Sequence, residues 1–248
     1  MLHFGNWRNN SSEYDLSDEM YQAGLSAFFT RVYGWLFAGL ALTMLTSAFV
    51  SGSVVGYAIA SSLPLMLVLC LGEVALVIAL KSRIGKLSKS AAIGIFGAYS
   101  VLNGLTLSVI FRFYAKADIT KAFGFAAVFF GIMCVYGFLT KADLSKTVKI
   151  LWAGAATIII FMLVNLFLHN GALDFVICLA GVAIFTGLTA VDTQRIKASL
   201  YPQALSAPEG DAERVASNLA IIGALFLYLD FINVFLYLLR LFGRGGGR

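Results

Sequence analysis

Seven long apolar stretches are separated by polar connections along the chain, at residues 32–50, 63–80, 91–111, 122–139, 150–168, 172–192 and 219–242. Each is close to what a helix rising about 1.5 Å per residue needs to cross a hydrocarbon core of about 30 Å. The pattern predicts an all-α membrane protein with a seven-transmembrane-helix domain over 31–242. A polar N-terminal tail over 1–30 carries Glu13, Asp15, Asp18 and Glu19, and residues 243–248 form a Gly/Arg-rich tail. The connections are short except for 193–218, where Pro202, Pro208, Glu209, Gly210, Asp211 and Glu213 predict a solvated loop.

Composition rules out a water-soluble domain. Of 248 residues, 60% are hydrophobic and 12% charged, and the mean hydropathy is +0.86. One aqueous core of this size cannot hide so much apolar surface. The acidic N-terminus does not have the basic-then-apolar form of a signal peptide. Orientation follows from the cations. With the N-terminus cytoplasmic, Arg112, Lys116, Lys121, Arg240, Arg244 and Arg248 fall outside, leaving the other twelve of eighteen Lys and Arg inside. The net charge of +5 is accounted for by this bias and by anionic lipid, so no nucleic-acid partner is expected.

The informative charges are those that cannot reach water. Of thirteen acids, ten fall in tails, connections or helix edges; Glu73, Asp192 and Asp230 remain within spans, and no basic residue lies deep in one. Asp230 sits midway along the last span, where a carboxylate costs about 2.5–3.5 kcal/mol on insertion scales. Asn233 and Tyr237 follow at i+3 and i+7, making a polar stripe on an apolar helix. Asp192 ends the sixth span and has Arg195 and Lys197 as local partners; helix ends drawn from hydropathy leave it about 10 Å nearer the cytoplasm than Asp230. Glu73 lies midway along the second span, with Lys81 and Arg83 beyond it able to reach back to a carboxylate. The run Asn103-Gly104-Leu105-Thr106-Leu107-Ser108 reads as a small-residue helix contact. Cys70, Cys134 and Cys178 read as small buried hydrophobes, and His3 and His169 as solvated side chains.

Two segments carry a resemblance. Gly187-Leu188-Thr189-Ala190-Val191-Asp192-Thr193-Gln194 and Leu227-Tyr228-Leu229-Asp230-Phe231-Ile232-Asn233-Val234-Phe235-Leu236 resemble the paired motifs of the Bax inhibitor family, the transmembrane BAX-inhibitor-motif proteins, in their bacterial type. Tyr33-Gly34-Trp35 and the Gly104–Ser108 run are similar too, and the likeness covers about 29–243. The resemblance implies a seven-helix bundle with the last helix central, wrapped by two three-helix groups. It implies a pH-sensitive calcium leak governed by two aspartates, which match Asp192 and Asp230. It also implies a basic latch on the first aspartate at the end of the second helix, matched by Arg83 or by Lys81.

The residues support that chemistry independently. Calcium takes about six to eight oxygen ligands, so two or three carboxylates with Asn233, carbonyls and water hold it only transiently, as conduction requires. Calcium is therefore expected as a permeating ion, with no tightly bound cofactor. The main alternative is a non-conducting membrane regulator that binds other membrane proteins, such as a protease or cell-death factor. A proton-coupled transporter lacks paired interrupted helices. No GxGD surrounds Asp230, against an aspartyl protease, and the seventh span has no lysine, against a retinal protein; no enzymatic activity is expected. The expected location is a bacterial inner membrane.

Overall fold

A computed structural model describes residues 7–243, and every regular element among them is helical. In chain order these are α1 (Trp7–Ser51), α2 (Val54–Ser61), α3 (Leu63–Arg83), α4 (Lys89–Leu107), α5 (Ile110–Phe113), α6 (Lys116–Leu139), α7 (Ser145–Leu168), α8 (Gly171–Arg195), α9 (Tyr201–Leu205) and α10 (Ala212–Gly243). A π-helical turn, Ile196–Leu200, links α8 to α9, and a 3₁₀ turn, Glu209–Asp211, precedes α10. Side-chain oxygens start three of the spans. Ser62 accepts from the Leu65 amide at α3, Ser88 from Ala91 at α4 and Asn170 from Leu173 at α8. Each satisfies an amide that the first helical turn leaves without a carbonyl.

Seven helical stretches are long and apolar enough to cross a membrane. The last is the axis of the bundle: 83% of its most apolar window is buried, against at most 39% in any other. α10 packs on α1 and α4 on one side and on α6 and α8 on the other. α3 packs on α4, and α7 on α8, completing a three-helix group on each flank. The continuous apolar character of 219–242 follows from this, because α10 meets protein rather than lipid around most of its circumference.

Two boundaries differ from the sequence expectation. The N-terminal segment is helical from Trp7, so α1 runs unbroken through most of the expected tail. The connection 193–218 is not a loop. α8 continues to Arg195, the π turn and α9 prolong it to Leu205, and α10 begins at Ala212. Ile196, Leu200, Tyr201 and Ala204 are buried while Arg195, Ala198 and Gln203 are exposed. One face of the segment is therefore apolar, and the charged face hid it from a hydropathy reading. Tyr201 donates to the Tyr21 carbonyl at 3.1 Å and so ties this extension to α1. Asp118, expected in a connection, lies in the first turn of α6. Cys134 and Cys178 are buried as expected, but Cys70 is exposed and lines a cavity together with Glu73. His169 is exposed and caps α7 with φ 48°. His3, Arg244, Arg248 and the tail beyond Gly243 lie outside the described residues.

α6 and α8 touch backbone to backbone at Gly137. A Cβ there would stand 2.3 Å from the Ala190 carbonyl oxygen, which has no flexible end to yield. Gly137→Ala is expected to destabilise the bundle by about 1–3 kcal/mol, the usual cost of overpacking. A lowered thermal midpoint in detergent, with Gly131→Ala unchanged because nothing lies near that position, is the result to look for.

Candidate ion pathway

Asp230 lies 18 residues from the start of α10 and 13 from its end, about 27 and 20 Å along the axis. It is 4% exposed, and its Oδ2 has no hydrogen-bond partner. Asp192 of α8 is 8% exposed, and the charges of the two carboxyl groups act on each other. Helix ends drawn from hydropathy left the pair apart in depth. The π turn and α9 narrow that gap, because Asp192 now precedes the end of its helical run by 13 residues, about 20 Å, against about 27 Å from the start of α10 to Asp230. The two helices pack closely on the outer side of the aspartates: Gly181 of α8 lies against the ring of Tyr237 of α10, where a Cβ would be 2.6 Å from ring carbons. Wide π turns cluster at functional sites, and this one follows Asp192 by four residues.

Two cations stand over the pair. The Lys81 amino group lies 5.2 Å, and the Arg195 guanidinium 4.8 Å, from the centroid of the Phe226 ring. Phe226 precedes Asp230 by four residues, so the two lie on one face of α10, with Phe226 one turn nearer its N-terminal end. Both cations also act on Asp192. Of the two latch candidates, the structure therefore brings Lys81 to the site and leaves Arg83 exposed beside Ser82, Lys86 and Leu87. Lys197 turns away, donating to the Phe138 carbonyl at 2.9 Å. On the α6 side Cys134 neighbours Asp230, Tyr33 and Thr193.

Glu73 belongs to a second polar centre. Neither Lys81 nor Arg83 reaches it; Thr106 donates to its Oε1 at 2.5 Å and Asn103 to its Oε2 at 3.2 Å. Asn103 accepts from the Tyr228 hydroxyl at 2.9 Å, which in turn meets the Thr43 hydroxyl at 2.6 Å. This chain of hydrogen bonds joins α3, α4, α10 and α1 through the core. The run from Asn103 to Ser108 thus does two jobs. Gly104 lets α4 touch α1, where a Cβ would be 2.6 Å from Thr46, while Asn103 and Thr106 hold the carboxylate.

Glu73, Asn103, Thr106, Asn233, Tyr237 and Arg240 all line a cavity of about 480 Å³ in the C-terminal half of α10. The Asn233 amide donates to the Leu229 carbonyl at 2.7 Å, and Tyr237 meets the Met162 sulfur at 3.7 Å. Arg240 pairs with Asp174 of α8. Asn233 follows Asp230 by three residues, about 4.5 Å along the axis, so the cavity ends one turn from the aspartate pair. No group of three or more His, Cys, Asp or Glu forms among the described residues. Two carboxylates with amide and hydroxyl oxygens suit a passing cation better than a resident one.

Sequence reasoning missed Phe226, Tyr228 and Cys134 as neighbours of these groups. Phe226 carried a signal in its i−4 spacing from Asp230, and Tyr228 in its polar tip on an otherwise apolar helix. Cys134 carried none, because its role comes from α6 lying against α10.

The comparisons agree with this architecture. The sequence profile of the family described as Inhibitor of apoptosis-promoting Bax1 matches residues 25–247. The inner membrane protein YbhL of Escherichia coli is 40% identical over 233 residues, covering 92% of this chain and 96% of YbhL. A protein of Deinococcus radiodurans is 40% identical over 215 residues, 86% of this chain and 89% of its own. One of Borreliella burgdorferi is 38% identical over 218 residues, 88% and 91% of the two chains. With seven spans, a buried central helix and the profile matched along nearly its whole length, this integral membrane protein belongs to the Bax inhibitor family.

Proposed function

We propose that the protein is a pH-sensitive cation leak whose permeating ion is calcium, gated by Asp192 and Asp230. The observation that carries this reading is the buried carboxyl group of Asp230 with its Oδ2 unpartnered, and a second buried carboxyl, Asp192, on the helix packed against it. A buried acid is tolerated where it serves a path or a partner, and the cavity into which Glu73 and Asn233 bring polar groups ends one turn away. In this reading the ion enters that cavity, passes Asn233 and reaches the pair, where Phe226 and the two cations close the other end.

Two carboxyl groups buried on packed helices hold one proton between them more readily than two charges. While Asp192 is ionised it attracts Lys81 and Arg195 and keeps them on Phe226. Acid neutralises Asp192, weakens that attraction and frees the ring to move. Opening therefore increases as pH falls. The likeness to an inner membrane protein supports a bacterial inner membrane as the location. The cation bias supports a cytoplasmic N-terminus and an outward C-terminus.

Purified protein in liposomes loaded with a calcium dye is expected to show flux above empty vesicles, rising from pH 8 to pH 5. Absence of flux across that range overturns the leak and leaves the non-conducting regulator, whose partner would then be another membrane protein.

A further inference from the structure

A second cavity, of about 410 Å³, is unlike the ion pathway in being almost wholly apolar. Its floor is the buried face of α10 at Phe231 and Phe235, and its walls are α1 and α6. Met44 of α1 is 50% exposed and Phe123 of α6 is 36% exposed, and both line it, so the crevice opens on the side of the bundle that meets hydrocarbon. It extends from Leu40, eleven residues before the end of α1, to Ser47, four residues before it, spanning depths of about 16 to 6 Å from that end.

One end of the crevice is polar. Ser47 lines it, is 3% exposed, and its hydroxyl has no hydrogen-bond partner. A buried hydroxyl left unsatisfied is costly. It lies about one turn from the end of α1, towards one edge of the span. Lys116, the first residue of α6, lines the same end; it is exposed and makes no ion pair among the described residues. An apolar slot, then a hydroxyl donor, then a cation at the rim is the sequence of groups along an anionic phospholipid read from its tail.

We propose that this crevice binds one acyl chain of a bilayer phospholipid, with the chain's ester carbonyl accepting from Ser47 and the headgroup phosphate at Lys116. Water is a poor occupant of an apolar slot, while the surrounding membrane supplies acyl chains at high local concentration. The bound chain would lie against Phe231, the residue after Asp230, so occupancy is felt next to the proposed gate. The binding site itself does not depend on whether the protein conducts.

The test is native mass spectrometry of the detergent-purified protein with phosphatidylglycerol, phosphatidylethanolamine or palmitate of matched chain length added in turn. One saturable phosphatidylglycerol adduct is expected. Ser47→Leu, which fills the slot and removes the hydroxyl, is expected to weaken it about tenfold, the worth of one buried hydrogen bond. Met44→Trp at the exposed lip blocks entry without touching the core and should weaken it as well, which keeps the test decisive if Ser47→Leu folds poorly. Lys116→Gln should remove the preference for phosphatidylglycerol over phosphatidylethanolamine by about two- to fivefold, as for an exposed ion pair. Non-saturable binding, adducts indifferent to Ser47→Leu and Met44→Trp, or palmitate binding as tightly as phosphatidylglycerol overturns the proposal. The readout is lipid stoichiometry and not flux, so its failure is distinct from failure of the leak.

Discussion

Asp230→Asn is expected to lower calcium flux about tenfold or more and to flatten its pH dependence, while the protein stays folded. The side chain keeps its shape and loses its charge, so what disappears is the attraction for a passing cation. Loss of about 1.4 kcal/mol of that attraction already amounts to a tenfold change. Interactions between charges at about 4 Å reach several kcal/mol even at an effective dielectric constant near 20. Stability moves in the opposite sense. Asp230 is 4% exposed and its Oδ2 lacks a partner, so replacing the carboxylate removes a desolvation cost and the thermal midpoint should hold or rise. Flux and melting measured on the same preparation separate the two. A mutant that misassembles would show the carboxyl group to be packing glue, and unchanged flux would remove it from the pathway.

The second large effect is expected from the two cations that share Phe226. Lys81→Ala and Arg195→Ala should each raise flux at pH 8, where the parent is closed in this reading, because each removes one cation held on the Phe226 ring, one turn from Asp230. Both cations are exposed, and an exposed cation–π contact is worth about 0.5–1 kcal/mol, so increases of about two- to fivefold are expected. The double variant should fall short of the product of the two, since both cations also act on the same Asp192. Asp192→Asn should reproduce the open behaviour at high pH. Arg83→Ala is the discriminating control. Its side chain lies on the surface away from the pair, and flux should stay at the parent level. If Arg83→Ala opened the pathway and Lys81→Ala did not, the arrangement around Phe226 would not be the gate.

The spans were legible in the sequence because a bilayer imposes one requirement, about twenty apolar residues in a row, and hydropathy measures it directly. The acids at 73, 192 and 230 were legible for the same reason, as departures from that requirement. The segment from Thr193 to Asn218 was misread because its apolar residues, Ile196, Leu200, Tyr201 and Ala204, occupy a single helical face among charges and two prolines. Averaged hydropathy is blind to such a face; its period is the signal. That misreading set Asp192 at the membrane surface and left the pair apart in depth. The choice between Lys81 and Arg83 was open in the sequence. They sit two residues apart in the last turn of α3, about 200° around the helix, so only the packing of α3 says which of them faces α10.

The sequence by itself determined the number of spans, the carboxylates within them and the motifs that mark the family. These are local properties, set by transfer energies of single segments and by the identity of single residues. The tertiary structure alone decided which groups share a neighbourhood: Asp192 and Asp230 on packed helices, Lys81 and Arg195 over Phe226, and Glu73 with Asn103 and Thr106. It also opened the slot between α1 and α6 in which Ser47 has no partner. Each of these depends on the rotation and depth of one helix against another, which close contacts such as Gly137 on Ala190 and Gly181 on Tyr237 fix to within an ångström or so. Hydropathy cannot carry that information, because lipid accepts every rotation of an apolar helix and only packing against protein distinguishes them.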